Sequence, residues 1–289
     1  MTEPALTSVL ATHFGVEAGS IRLRPVTGGD TARSFCASVG AKTMFVKQML
    51  LGNEALVAEA DGLAALEATD TVRVPAVLGQ GTTGGFGWLI LEWLELVPWQ
   101  AQEVELARAL ARLHSQTAPA FGWHRDNFIG TTPQQKPRCM DWSAFWRDAR
   151  LLPMVDAAAG CGMSGTGLAQ LQRLAGRLEL FLSGDIRPSL VHGDLWAGNV
   201  AVCGGQPVIF DPAVYFGHHE VDLAMLELFG RPGPAFFDAY NDLLAISDGY
   251  YLRRDLYNLY HLLNHYRLFG GGYGDQAVAV AARLVAEVS

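Results

Sequence analysis

The chain has 289 residues, of which 50% are hydrophobic and 17% charged, a globular composition large enough for one large domain or two lobes with cores of their own. A formal net charge of −8 and the lack of any Lys/Arg run argue against nucleic acid or an anionic membrane as a partner. No apolar run approaches the roughly 18 residues of a membrane span. An early acid and no basic stretch at the N-terminus argue against a secretory signal. Four scattered cysteines without a CxxC pair read as reduced thiols of a cytoplasmic protein.

In chain order, residues 4–14 read as a short helix. "IRLRPV" (21–26), "SFCASV" (34–39) and "TMFVKQM" (43–49) read as strands, separated by turn-formers at 27–31 and by Gly40-Ala41. Residues 53–66 carry Leu56, Ala60, Leu63 and Leu66 at helical spacing. "RVPAVLG" and "GWLILEWL" read as two further strands. Beyond residue 100 helices dominate, over 101–116, 141–152, 166–182, 219–229, 233–246, 252–269 and 274–288. Only 189–191, 200–203 and 207–210 look extended. The expected architecture is α+β: a small antiparallel-sheet lobe, 1–93, joined near residues 92–98 to a larger, mainly helical lobe, 94–289.

The chemistry gathers in "LVHGDLWAGNVAVCGGQPVIFDPA". Asp194 ends an apolar stretch, with His192 two residues before it and Asn199 five after; Asp211 follows 17 residues on, at the end of a second apolar strand. In phosphoryl transfer one carboxylate accepts the proton of the attacking hydroxyl, while an Asn amide oxygen and a second carboxylate hold Mg²⁺ against nucleotide phosphates. Either Asp alone is an ordinary turn or cap residue; the joint spacing is that of a kinase catalytic loop. Lys47 closes the strand "TMFVK", and the following helix bears Glu54 and Glu59. A Lys–Glu pair in that layout orients α/β-phosphates, and Glu59, mid-helix, is the preferred partner. Gly28 and Gly29 lie in a turn whose N–H groups can cover phosphates, although the pattern is not GxGxxG. Backbone groups of Glu92, Trp93 and Leu94 can meet an adenine edge; a buried strand with an amphipathic end is the plain alternative.

These stretches resemble the fructosamine kinase (ketosamine-3-kinase) family, a branch of the protein-kinase-like fold near the aminoglycoside and choline kinases. "VRVPAVL", "FGWHRDNFIGTTPQ", "WSAFWRDARL", "HGDLWAGNVA", "FDPAVYFGHHEVDLAML" and "LYNLYHLLNHYRLFGGGY" carry the likeness, from about residue 20 onward. The resemblance implies a bilobal kinase fold. It implies Asp194 as catalytic base, Asn199 and Asp211 as Mg²⁺ ligands, and Lys47 with Glu59 as the phosphate-orienting pair. His192 and Asp222 support the catalytic loop. The glycine loop matches loosely. The reaction implied is transfer of the ATP γ-phosphoryl group to O3 of a ketosamine, free or on a glycated protein. The product is unstable and eliminates, freeing the amine.

On the acceptor side, Trp196 stands two residues after Asp194, placed to flank a sugar or to pack in the core. His261 and His265 are spaced i, i+4 on one helix, as a polar pocket wall or as plain packing. His218, His219 and Glu220 look like a metal cluster but read better as the first turn of a helix. A kinase of aminoglycoside or choline type and a nucleotide-binding pseudokinase are the competing readings.

Overall fold

The computed structural model describes residues 3–26, 32–50 and 54–288. Gly28 and Gly29 therefore lie outside the described residues.

The first helix, α1 (Glu3–Phe14), leads into a five-stranded antiparallel sheet. Its strands are β1 (Ile21–Val26), β2 (Arg33–Val39), β3 (Lys42–Leu50), β4 (Val77–Thr83) and β5 (Phe86–Glu92), in spatial order β1-β2-β3-β5-β4. Period-two alternation gives the sheet two faces. Phe35, Ala37, Met44, Val46 and Ile90 turn toward Leu6, Val9 and Leu10 of α1. Phe45, Lys47, Met49 and Leu91 look the other way, into a cleft. Helix α2 (Glu54–Glu67) packs beside β4 and β5, burying Leu56, Ala60, Leu63 and Leu66 as their spacing predicts. The strand expected over "RVPAVLG" begins later, at Val77: Pro75 lacks an N–H for the ladder, so pairing with β5 starts beyond it.

The second part is mainly helical: α3 (Glu103–His114), α4 (Trp142–Trp146), α5 (Leu152–Gly160), α6 (Gly165–Ala175), α7 (Glu220–Phe229), α8 (Pro234–Asn241), α9 (Tyr250–Phe269) and α10 (Tyr273–Glu287). Two helices start on the expected chemistry: Asp141 and Ser164 accept hydrogen bonds from Ala144 N (2.6 Å) and Gly167 N (3.2 Å). The single helix expected over 141–152 is instead α4, a wide turn over Arg147–Leu151 and α5. That wide turn carries Arg150 into the interior, against the rings of Phe145 and Tyr215. Helix α9 is the spine: Leu256, Leu259 and Leu263 sit in a core with Trp142, Trp146, Leu171 and Leu284.

Six short strands complete the described fold: β6 (Asn127–Ile129) with β7 (Thr132–Gln134), β8 (Ser189–Val191) with β11 (Tyr215–Gly217), and β9 (Val200–Cys203) with β10 (Gln206–Ile209). Strands β6, β7 and β11 are additions to the sequence reading; three residues are too few to show an alternation. A hydrophobic cluster joins Leu56, Leu63 and Leu91 to Leu110, Leu190, Ile209 and Leu223, so the sheet and the helical part share a core beneath the cleft. All four cysteines are unpaired.

Candidate active site

Three short strands and their hydrogen bonds bring the distant acids together. Beyond β8 the chain turns through residues 192–199; the β9–β10 hairpin then returns it to Asp211. Phe210 N donates to Asn199 O (3.1 Å), Ala213 N to His192 O (2.8 Å), and His192 Nε2 to Phe210 O (2.9 Å). With Nε2 donating, Nδ1 is left to accept from Asp194 N (3.3 Å). This neutral form agrees with burial, which holds the His192 pKa below its ordinary value.

Asp222, in the first turn of α7 and 1% exposed, clamps the loop from below. It accepts from His192 N (2.6 Å), Gly193 N (2.8 Å) and His114 Nε2 (3.1 Å). Burial pushes its pKa up, but these donors and the nearby histidines outweigh burial, and the net shift is downward. Gly193 has φ +82°, and a Cβ there would strike the Ala213 carbonyl, so only glycine lets the two loops pass.

Asp194 is half-buried, with the charges of two other acids nearby. Burial first, then Asp211 and Asp222, raises its pKa to about 7, opposed by a hydrogen bond from Asn199. Asn199 Nδ2 also donates to Asp194 O (2.8 Å), which leaves Oδ1 as its coordinating end. Asp211 has φ +59°, uncommon for a residue other than glycine but tolerated best by Asn and Asp. Its carboxylate is held by Lys47 Nζ at 2.6 Å, and Lys47 also reaches Glu59 Oε1 at 2.8 Å. Burial disfavours the Lys47 charge, yet the Asp211 and Glu59 carboxylates more than offset it and raise the pKa. Burial pushes Glu59 up to about 7, with Lys47 pulling it back in part. Asn199 and Asp211 thus present hard oxygen donors beside an excess of carboxylate charge, a donor set that fits Mg²⁺.

These groups face a cleft of about 1070 Å³. Glu92, Trp93 and Leu94 line its wall: Glu92 N donates to Ala76 O (2.9 Å), its carboxylate accepts from Arg73 (2.8 Å), and Trp93 Nε1 donates to Glu95 (2.7 Å). Trp196 lines it too, its ring folded over Gly198. The two α9 histidines part company. His265 lines the cleft, its Nδ1 donating to His261 O (2.7 Å). His261 is 4% exposed and is not among the lining residues.

Ligand atoms of His218, His219 and Glu220 lie within 4.8 Å of one another. Each already has a partner: Tyr257 OH for His218 Nδ1 (2.7 Å), Tyr240 OH for His219 Nδ1 (2.9 Å), and an Arg253 fork on Glu220 (2.6 and 2.8 Å). They tie α7 to α8 and α9.

Two residues near the site were not singled out in the sequence reading. Lys136, 2% exposed, donates to Gln134 Oε1 (2.9 Å) and Ala213 O (3.2 Å) and lies 3.9 Å from the Tyr215 ring centre. Burial, then the Arg150 charge, lowers its pKa. Asn127 lines the cleft and donates to Val214 O (3.0 Å). Both sit in the β6–β7 region, far in sequence from the loops they steady.

The fold and the residues about Asp194 define a phosphotransferase of the protein-kinase-like fold. The fructosamine kinase sequence profile matches residues 3–287, and the chain belongs to that family. It is 40% identical over 269 residues to the protein named Probable ketoamine kinase of Synechocystis sp., covering 88% of this chain and 87% of that one. It is 39% identical over 269 residues to the chloroplastic protein-ribulosamine 3-kinase of Arabidopsis thaliana, covering 90% and 81%. A crystal structure provisionally assigned as fructosamine-3-kinase, from Haemophilus somnus, superposes with a TM-score of 0.87 at 25% identity, over 97% of this chain and 96% of that one. Aminoglycoside phosphotransferase APH(4)-Ia shares the fold, with a TM-score of 0.66 at 19% identity over 98% and 99%.

Proposed function

We propose that the chain is a cytoplasmic, ATP- and Mg²⁺-dependent kinase that phosphorylates O3 of ketosamines, free or on glycated proteins, and so promotes deglycation. The observation that carries the reading is the joint placement of Asp194, Asn199, Asp211 and Lys47 at the floor of one cleft, in a chain whose relatives are named ketoamine and ribulosamine 3-kinases. Residues 1–93 form the nucleotide-binding lobe and residues 94–289 the catalytic and acceptor-binding lobe.

The nucleotide lies between the sheet and the β9–β10 hairpin, its adenine along Glu92, Trp93 and Leu94. Lys47, held in place by Glu59, meets phosphate oxygens; Asn199 Oδ1 and the Asp211 carboxylate hold the metal. Bound Mg²⁺ supplies Lewis-acid neutralisation of the phosphate oxygens. Asp194 takes the proton of the acceptor hydroxyl as that oxygen bonds to the γ-phosphorus and the bond to the bridging oxygen breaks, leaving ADP. Asp194, beside Asn199 and facing the cleft, is the carboxylate placed to accept that proton. Trp196 covers the acceptor's C–H face, His265 lines the wall beyond it, and His261 supports His265 from the core.

The test is Asp194→Asn, assayed for acceptor-dependent ADP release with fructosamine-lysine and ribulosamine-lysine, with the phosphate position mapped. Loss of general-base catalysis lowers kcat by about 10²–10⁴-fold with the melting temperature retained. Near wild-type turnover in that variant, or phosphate on an oxygen other than O3, would overturn the assignment.

A further inference from the structure

Past Asp194 the cleft continues as a strip of rings. Trp196, Phe229, His265, Phe269 and Tyr273 all line it. Ring centres step from Trp196 to Phe229 (6.3 Å), from Phe229 to His265 (5.0 Å), and from His265 to Phe269 (5.5 Å) and Tyr273 (5.1 Å). Trp196, Phe229 and Phe269 are 40%, 39% and 56% exposed, so three large apolar side chains face solvent along one track. The track is assembled from the catalytic loop, the end of α7, the end of α9 and the start of α10.

Its charge environment is one-sided. Among the described residues lining the cleft, the carboxylates are Glu59, Glu92, Glu95, Asp194 and Asp211. The only lining Lys or Arg among them is Lys47, already committed to Glu59 and Asp211. Asp194, two residues before Trp196, is the carboxylate at the loop end of the strip, so a ligand segment there meets aromatic rings and that carboxylate with no free Lys or Arg among the described lining residues. Ring faces attract cations, and attract them more strongly where water is partly excluded.

We infer that the strip is the subsite for the amine half of the acceptor: a protonated secondary amine together with the apolar or aromatic substituent it carries. This rests on the ketosamine reading above. In a ketosamine the reacting hydroxyl is on C3 and the amine on C1, separated by C2 alone. With O3 at Asp194, the nitrogen lies within a few ångströms of the same carboxylate, where Trp196 stands. Its substituent then leaves the loop past Phe229 and runs toward Phe269 and solvent. A small or anionic substituent gains nothing from this track; a flat apolar one covers it.

The test uses three ketosamines of the same sugar, made from benzylamine, methylamine and glycine, with coupled ADP detection. The benzylamine adduct has a kcat/KM about tenfold above the methylamine adduct, the worth of one stacked aromatic contact, with the glycine adduct lowest. Phe269→Ala, and separately Phe229→Ala, lower the benzylamine-to-methylamine ratio about fivefold, mainly through KM, and Phe269→Tyr restores it. Both side chains are exposed enough that neither change threatens folding. Ratios that stay within about twofold of wild type in both alanine variants overturn the subsite while leaving the ketosamine kinase intact. A wild-type protein that phosphorylates none of the three overturns the ketosamine reading and the subsite with it.

Discussion

Replacing Asp222 is the sharpest probe of how the catalytic loop is held. Its carboxylate is 1% exposed and receives three donors, two of them backbone N–H groups of the loop that precedes Asp194. Asp222→Ala removes the acceptor and strands all three donors where water cannot reach them. An unsatisfied buried donor costs about 1–3 kcal/mol. The three donors share one acceptor, so their costs are not independent, and the expected loss is about 4 kcal/mol. That is a large part of the roughly 5–15 kcal/mol of a folded domain. Asp222→Asn keeps the shape and one accepting oxygen, so its loss is about half as great and it is the variant to assay for turnover. Urea unfolding followed by tryptophan fluorescence measures the difference. Because the folded pKa lies below the ordinary 3.8, the Asp222 contribution is complete above about pH 4 and fades as the pH falls further. A cost below about 1 kcal/mol for Asp222→Ala at pH 7 would refute the clamp.

Lys47→Met removes the cation between Glu59 and Asp211; kcat/KM for ATP falls at least about 10²-fold, and an unchanged value refutes the phosphate-orienting role. Gly193→Ala forces a Cβ at φ +82° against the Ala213 carbonyl and destabilises by about 3 kcal/mol, read as a lowered urea midpoint; tolerance within 1 kcal/mol, about the size of an ordinary glycine effect, refutes the close passage. His261 is held down to about 3, by burial first and then by His265. Its folded pKa lies below the unfolded value of 6.5, so the unfolded chain takes up its proton first. Stability is therefore lost as the pH falls from 6.5 toward 3, by about 2 kcal/mol between pH 6.5 and 5. His261→Leu removes that part of the slope, and an unfolding-versus-pH slope identical to wild type counts against it.

The sequence by itself determined what travels in short stretches. Alternation marked β1, β2, β3 and β5, and spacing marked α2 and α9, because neighbours along the chain share a face. The intervals between His192, Asp194, Asn199 and Asp211 were legible because one loop and one hairpin hold all four. Glu59 could be preferred over Glu54 from its place in the helix, and the 2.8 Å contact with Lys47 agrees. Tertiary structure decided the rest. It put His265 on the cleft, between the rings of Phe229 and Tyr273, and His261 in the core, although one helical turn separates them. It drew Lys136 and Asn127 under the loop that follows Asp211 from a hairpin too short to show a pattern. It also assembled the ring strip from segments that no local period connects. Contacts between residues far apart in the chain follow from packing and loop closure, and a single sequence carries no periodic record of them.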